Sequence, residues 1–193
     1  MTSQLKLKFF PLTPQRWNDF EKLFGGNGAC GGCWCMWWRL KRSQYEKQKG
    51  AGNKKAIKKI VNFGTIPGII AYDNSIPIGW CAIEPRESYA LLENSRVLKR
   101  IDDEKVWSVV CFFVDRRFRR KGVTEKLLEA ALKHAKKNKA TIVEGYPIDS
   151  EKTPSAFAWT GFLSAKPESC TSPSISSTCC LRSSLGMRFI ISP

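Results

Sequence analysis

One stretch near the middle of the chain has the residue types and spacing to hold a phosphate. Arg119, Arg120, Lys121, Gly122, Val123 and Thr124 follow an apolar run, Val106 to Val114, and lead into a long amphipathic pattern. Main-chain N–H groups at the start of a helix lack intrahelical acceptors and carry partial positive charge, and a glycine lets a ligand approach the backbone. A strand, a basic glycine turn and a helix in that order therefore suit an anion. A second grouping is Cys30, Cys33 and Cys35, spaced C-x2-C-x-C. It offers three soft ligands, but a structural zinc site uses four and no fourth Cys or His is near, so no metal is expected. Eight cysteines without a secretory signal read as thiols rather than disulfides. A cysteine at a helix start is a candidate acyl-accepting or redox thiol.

The elements that position these residues follow from periodicity. Leu5 to Phe10 alternates like a half-buried strand. Thr13-Pro14 is a helix start, followed by Trp17, Phe20, Leu23 and Phe24 on one face and a stop at Gly25-Gly26. Trp34, Trp37 and Trp38 at i, i+3 and i+4 predict a second helix ended by Gly50, and Asn53 to Phe63 a third. Gly68 to Tyr72 and Ile76 to Glu84 read as a hairpin turning at Asp73-Asn74-Ser75. Pro85 to Lys105 is polar and unpatterned, a connecting loop. Val106 to Val114 is rich in β-branched and aromatic residues, as a strand buried on both faces is. The following helix carries Val123, Leu127, Leu128, Ala131 and Ala135 on one side, with His134 among solvated lysines. Ala140 to Tyr146 is a further strand and Thr153 to Leu163 a short helix. The expected class is α/β (α+β), helices covering a central sheet.

At 193 residues the chain suits a single domain over 1–193. Residues 166–185 stand apart, rich in Ser, Thr and Cys and without periodicity, before strand-like pattern returns at Gly186 to Ser192. Composition reads 166–185 as a loop or disordered segment, and its abrupt onset as a translated frameshift or diverged insert. No run approaches the roughly 20 apolar residues of a membrane span, and the N-terminus lacks a signal-peptide core. A cytoplasmic protein is expected. The formal charge of +15 allows nucleic acid or an anionic cofactor as partner, although basic residues at helical spacing mostly form a solvated face.

The residues RFRRKGVTEKLLEAAL, preceded by VVCFFVD, resemble the acetyl-CoA-binding motif of the GNAT superfamily of N-acyltransferases: Arg or Gln, two residues, Gly, one residue, then Gly or Ala. The element order over roughly residues 4 to 165 is similar as well. The resemblance implies a mixed, mostly antiparallel central sheet flanked by helices, with two strands splayed at the cofactor site. It implies acetyl-CoA as co-substrate and an amine acceptor. The pyrophosphate would lie on main-chain N–H groups of Arg119 to Thr124, including Arg120, Lys121, Gly122 and Val123. The pantetheine arm would lie along Phe113 and Val114 as an added strand. Thr124 replaces the usual small residue, Ser108 stands where some members carry a glutamate, and no tyrosine follows Tyr146. Gly161-Phe162 is the candidate Gly-Phe pair, which puts Phe157 near the family's tyrosine position.

Amine acetylation needs a base for the amine proton and an acid for the leaving thiolate. Glu144 and Glu84, late in apolar strands, are the candidate bases, and Tyr146 is the candidate acid. Three functions fit: an N-acetyltransferase acting on a small molecule or protein, a basic nucleic-acid-binding protein, and a CoA-binding member of the fold without catalysis. A homodimer is an allowed assembly. No readable code names the acceptor.

Overall fold

The computed structural model describes residues 5–146, 178–182 and 186–190. Strand β1 (Leu7–Pro11) alternates half-buried and exposed residues. After a 3-10 turn at Pro14–Arg16, helix α1 (Trp17–Phe24) buries Trp17, Phe20, Leu23 and Phe24, the face that their spacing predicts. The tryptophan-rich stretch behaves differently. Trp34 and Cys35 adopt left-handed backbone, φ 44° and 59°, through which no helix continues, and α2 is confined to Arg42–Lys47. Tertiary packing overrides the helical spacing here. The Trp34 indole stacks on Phe24 with ring centroids 5.6 Å apart and covers Gly28, where a Cβ would overlap the ring. Helix α3 (Ala51–Asn62) is tied to this turn by Asn53, which donates to the Gly32 carbonyl at 3.1 Å.

Strands β2 (Gly68–Asp73) and β3 (Ile76–Pro85) form the hairpin, with Asn74 at φ 55° in its turn. The segment expected to be a plain loop contains a 3-10 turn at Arg86–Ser88 and a short helix, α4 (Ala90–Glu93). Then come β4 (Val106–Val114), α5 (Val123–Lys137) and β5 (Ile142–Gly145). Part of the atypical segment, expected to be irregular, is strand: β6 (Thr178–Arg182) pairs with β7 (Gly186–Ile190). The expected helix at Thr153 to Leu163, with Phe157 and Gly161-Phe162, lies outside the described residues.

The sheet has the order β1-β2-β3-β4-β5-β7-β6. It is antiparallel from β1 to β4 and between β6 and β7, and parallel where β5 meets β4 and β7. The mixed sheet flanked by helices matches the expected class. On one face Ile70, Trp80 and Val110 of the sheet pack with Trp17, Phe20 and Phe24 of α1, Ile57 and Val61 of α3 and Trp34; on the other, Ile69, Ile78, Ile83 and Val109 pack with the apolar stripe of α5. Between Ala82↔Cys111 and Ile83↔Val109 the register slips, leaving Val110 as an extra residue. This bulge breaks the alternation: Val110, Cys111 and Phe113 pack on the α1 face, Val109, Phe112 and Val114 on the α5 face.

His134 is half-buried rather than solvated, edge-on to Trp107 at 5.8 Å. Burial first, then Lys137, hold its pKa below the usual histidine value. The unfolded chain then binds the proton more readily, so this residue's contribution to stability is complete above the unfolded pKa and is lost as pH falls through the folded one. The imidazole of the chain's one histidine should titrate by NMR with a midpoint below 6.5 in the folded protein; a midpoint at or above that value would remove the Trp107 contact from the account.

Candidate functional site

The site begins where two strands part. The parallel pairing of β4 with β5 runs from Val106↔Ile142 to Val109↔Gly145 and stops. Strand β4 continues through Val110–Val114, where β3 is its one paired strand among the described residues. Among the described residues no strand pairs with its second edge over Phe113 and Val114, next to the bulge that turns β4 aside.

Beyond β4 the chain makes a tight basic turn. Asp115 accepts from the Arg117 main-chain N–H at 2.9 Å and pairs with the Arg117 guanidinium, which holds its carboxyl below the usual range. Arg119 is exposed but tied back to β4: its N–H reaches the Arg116 carbonyl at 3.5 Å and its Nε donates to the Val114 carbonyl at 3.0 Å. Arg120 is left-handed at φ 59°, and Gly122, at φ 72°, is the N-cap of α5. Among the described residues no side chain caps this helix start, and nothing lies within 4 Å of where a Cβ on Gly122 would stand. Val123 is buried against the core and Thr124 half-buried, while Arg120, Lys121 and Gly122 are exposed. The first-turn N–H groups of a 15-residue helix therefore face outward with no side-chain acceptor. Such a helix start, bordered by cations and adjoining a strand edge that no described strand pairs, fits a polyanionic ligand with an extended arm.

At the closed end of the splay lies a row of polar side chains. Glu84, Ser108 and Glu144 are register partners on β3, β4 and β5. The three sequence-derived candidates fall into two networks around this row. In the first, Arg86, 0% exposed, donates through Nη1 to Glu144 and to the Tyr146 hydroxyl, both at 2.9 Å, and through Nε to Glu93 at 2.8 Å. Its Nη2 donates to the Leu98 carbonyl at 2.5 Å. The Tyr146 hydroxyl donates to Glu144 at 2.8 Å and lies 2.9 Å from Ser108 Oγ. Burial first, then the Glu144 carboxylate, raise the Tyr146 pKa.

In the second network, Glu84 pairs with Arg39, whose guanidinium lies 4.8 Å over the Tyr89 ring. Burial raises the Glu84 pKa against the opposing pull of Arg39. Cys35 accepts from the Trp80 indole N–H at 3.2 Å in the same region. Arg86, Arg39 and Tyr89 escaped the sequence reading. Single polar residues in an unpatterned loop or beside a tryptophan cluster give no periodic signal. Apart from these networks, a cavity of about 650 Å³ opens between the end of α1 and the start of α3, lined by Glu21, Gly25, Gly26, Trp34, Gly50 and Lys54 among others.

The profile of the acetyltransferase (GNAT) family matches residues 34–150, from the Trp34 turn through β5. The chain belongs to this family. The matched span includes the splay, the Gly122 turn and both polar networks of this GNAT protein. Among solved structures, an aminoglycoside acetyltransferase from an uncultured soil metagenomic sample is 15% identical over 76% of this chain and 80% of its own, with a TM-score of 0.47. An aminoglycoside N-acetyltransferase in complex with CoA is 14% identical over 75% and 79%, with a TM-score of 0.49. A ribosomal-protein-alanine N-acetyltransferase from Brucella melitensis biovar Abortus is 10% identical over 72% and 78%, with a TM-score of 0.42. Likeness at this level assigns no substrate to this GNAT chain. No curated protein matches the sequence. Among the described residues, no helix is long and apolar enough to cross a membrane.

Proposed function

We propose that the protein is an N-acetyltransferase that moves the acetyl group of acetyl-CoA to an amine. The observation that carries this reading is the β4 edge beyond Val109↔Gly145, paired by no described strand, which leads directly into the helix start at Gly122. Main-chain N–H groups from Arg120 to Thr124 would receive the pyrophosphate, with Lys121 and Arg120 adding charge. Arg119, bonded to the Val114 carbonyl, fixes the turn. The main chain at Phe113 and Val114 would take the pantetheine arm as an added strand.

Acetyl-CoA supplies an activated acyl group with a thiolate leaving group. The chain must then accept a proton from the attacking amine at the closed end of the splay. Ser108, Tyr146 and Glu144 are joined by hydrogen bonds of 2.9 and 2.8 Å, and in this reading they carry that proton inward to the Glu144 carboxylate. Arg86 fixes the carboxylate in place through its Nη1 hydrogen bond. Glu84, one strand away from Ser108, positions Arg39. The acceptor is an amine whose further chemistry these residues do not define.

Calorimetry on the full chain should register acetyl-CoA binding, and adding a panel of amines should release free thiol from acetyl-CoA faster than buffer does. Absence of a binding heat would overturn the cofactor reading. Binding without amine-dependent thiol release would overturn the enzymatic one.

A further inference from the structure

Cys35 sits in a constellation that the proton path above leaves unused. Trp34 and Cys35 are consecutive non-glycine residues in left-handed backbone, a conformation disfavoured for L-residues and retained where the surroundings over-determine it. The turn brings the Cys35 sulfur within 3.2 Å of the donating Trp80 indole nitrogen. It also sets the sulfur beside the Cys111 thiol and within reach of the Arg39 charge. Cys111 foremost, then Arg39 and Trp80, hold the Cys35 thiol below its usual range despite burial, whereas Cys33, Cys81 and Cys111 are all pushed up. Of these four thiols, Cys35 is the one held below its usual range.

Two further observations point to a ligand at this place. Among the described residues, Arg39 Nε and the Tyr89 hydroxyl are buried and have no hydrogen-bond partner, although both belong to the cluster around Cys35. Unused buried donors of this kind are rare in folded proteins, and a carbonyl oxygen gaining negative charge would accept from them. Cys111 follows the Val110 bulge, on the α1 face of the part of β4 beyond Val109. An arm laid along Phe113 and Val114 toward the closed end at Val109 passes it. Cys35 is only 6% exposed, so a reactant would reach it from the β4 side, past Cys111, rather than from bulk solvent.

We infer that Cys35 is a catalytic nucleophile that takes the acyl group from the thioester and hands it to the amine, with Arg39 Nε and Tyr89 as donors to the acyl oxygen. The inference rests on the acetyl-CoA reading and deepens it. In the first half-reaction, the Cys35 sulfur bonds to the acetyl carbon and the bond from that carbon to the CoA sulfur breaks. The electron pair leaves on the CoA sulfur, which takes up the proton that Cys35 gave up. In the second, the amine nitrogen bonds to the acetyl carbon, the bond to Cys35 breaks, and the released thiolate regains the proton lost by the amine. No electrons are gained or lost overall.

The test is to mix the full chain with acetyl-CoA in the absence of amine, quench in acid, and measure intact and peptide masses. One acetyl group is expected on the peptide containing Cys35, removable by neutral hydroxylamine. It should persist in Cys30→Ser, whose exposed thiol is the natural target of non-enzymatic acetylation, and vanish in Cys35→Ser. The Cys35→Ser variant should still bind acetyl-CoA by calorimetry, which also reports that it folds, while amine-dependent thiol release falls at least 100-fold. An acetyl group found on another cysteine or on none, in protein that binds acetyl-CoA, would overturn the inference and leave the acetyltransferase reading standing. Loss of acetyl-CoA binding by the unaltered protein would overturn both.

Discussion

Arg86→Ala is expected to lower folding stability by about 3–5 kcal/mol, the range seen when one partner of a buried ion pair is removed. The side chain is 0% exposed and its main acidic partner, Glu144, 2%. Truncation would leave the Glu144 carboxylate buried with the Tyr146 hydroxyl as its remaining hydrogen-bond donor, and would strip the Leu98 carbonyl of a 2.5 Å bond. Exposed pairs such as Lys126 with Glu129 set the contrast, since their loss costs about 0–1 kcal/mol. Urea unfolding of Arg86→Ala against the parent protein measures the difference. Adding Glu144→Gln to that variant should restore part of the loss, because it removes the stranded charge while keeping an acceptor. A cost of only about 1 kcal/mol, as at the surface, would mean that the network does not hold β5 in place.

Gly122→Asp should weaken acetyl-CoA binding by about 100-fold, or roughly 2.7 kcal/mol, with little change in folding. Two opposing terms keep the fold intact. An aspartate at φ 72° is strained, by about 1–2 kcal/mol in the left-handed region; an acidic group at a helix N-terminus returns about 0.3–1 kcal/mol. The space above Gly122 is clear of the described residues, so the side chain clashes with none of them. It would instead stand where the ligand's phosphates need the helix N–H groups, placing like charges a few ångströms apart. Gly122→Asn tolerates the same backbone without the charge and should lose about tenfold less. Calorimetry on both variants separates charge from bulk; equal affinities in Gly122→Asp and the parent would place the phosphates elsewhere.

The strand–turn–helix around Gly122 was legible because each part carries a local signal: β-branched residues in Val106 to Val114, a glycine at the turn, and 3.6-residue spacing from Val123 onward. The tryptophan stretch was misleading for the opposite reason. Trp34, Trp37 and Trp38 sit at helical spacing, yet Trp34 is fixed by stacking on Phe24 and by the room left at Gly28, both contacts distant from a helix's own logic. The polar networks were partly visible. Glu84, Glu144 and Tyr146 could be picked out as polar residues ending apolar strands, whereas their partners could not. Arg86 meets Glu144 across 58 residues and Arg39 meets Glu84 across 45. Only the register of β3, β4 and β5, including the slip at Val110, brings them into one row, and no one-dimensional pattern encodes a register set by long-range pairing.

The basic turn has a bearing on how fast a ligand arrives as well as on how tightly it is held. Between Arg116 and Lys121 the chain places Arg116, Arg117, Arg119, Arg120 and Lys121 around a single helix start. Asp115 offsets Arg117, so the outward field comes mainly from Arg116, Arg119, Arg120 and Lys121. At physiological ionic strength such a field extends about 8 Å beyond the surface. On the acetyl-CoA reading, a polyanion diffusing past would be drawn in within that range and turned toward the helix start before any hydrogen bond forms. The strand edge would then take the extended arm, so on this reading encounter and discrimination fall to neighbouring but separate stretches of the same turn and strand.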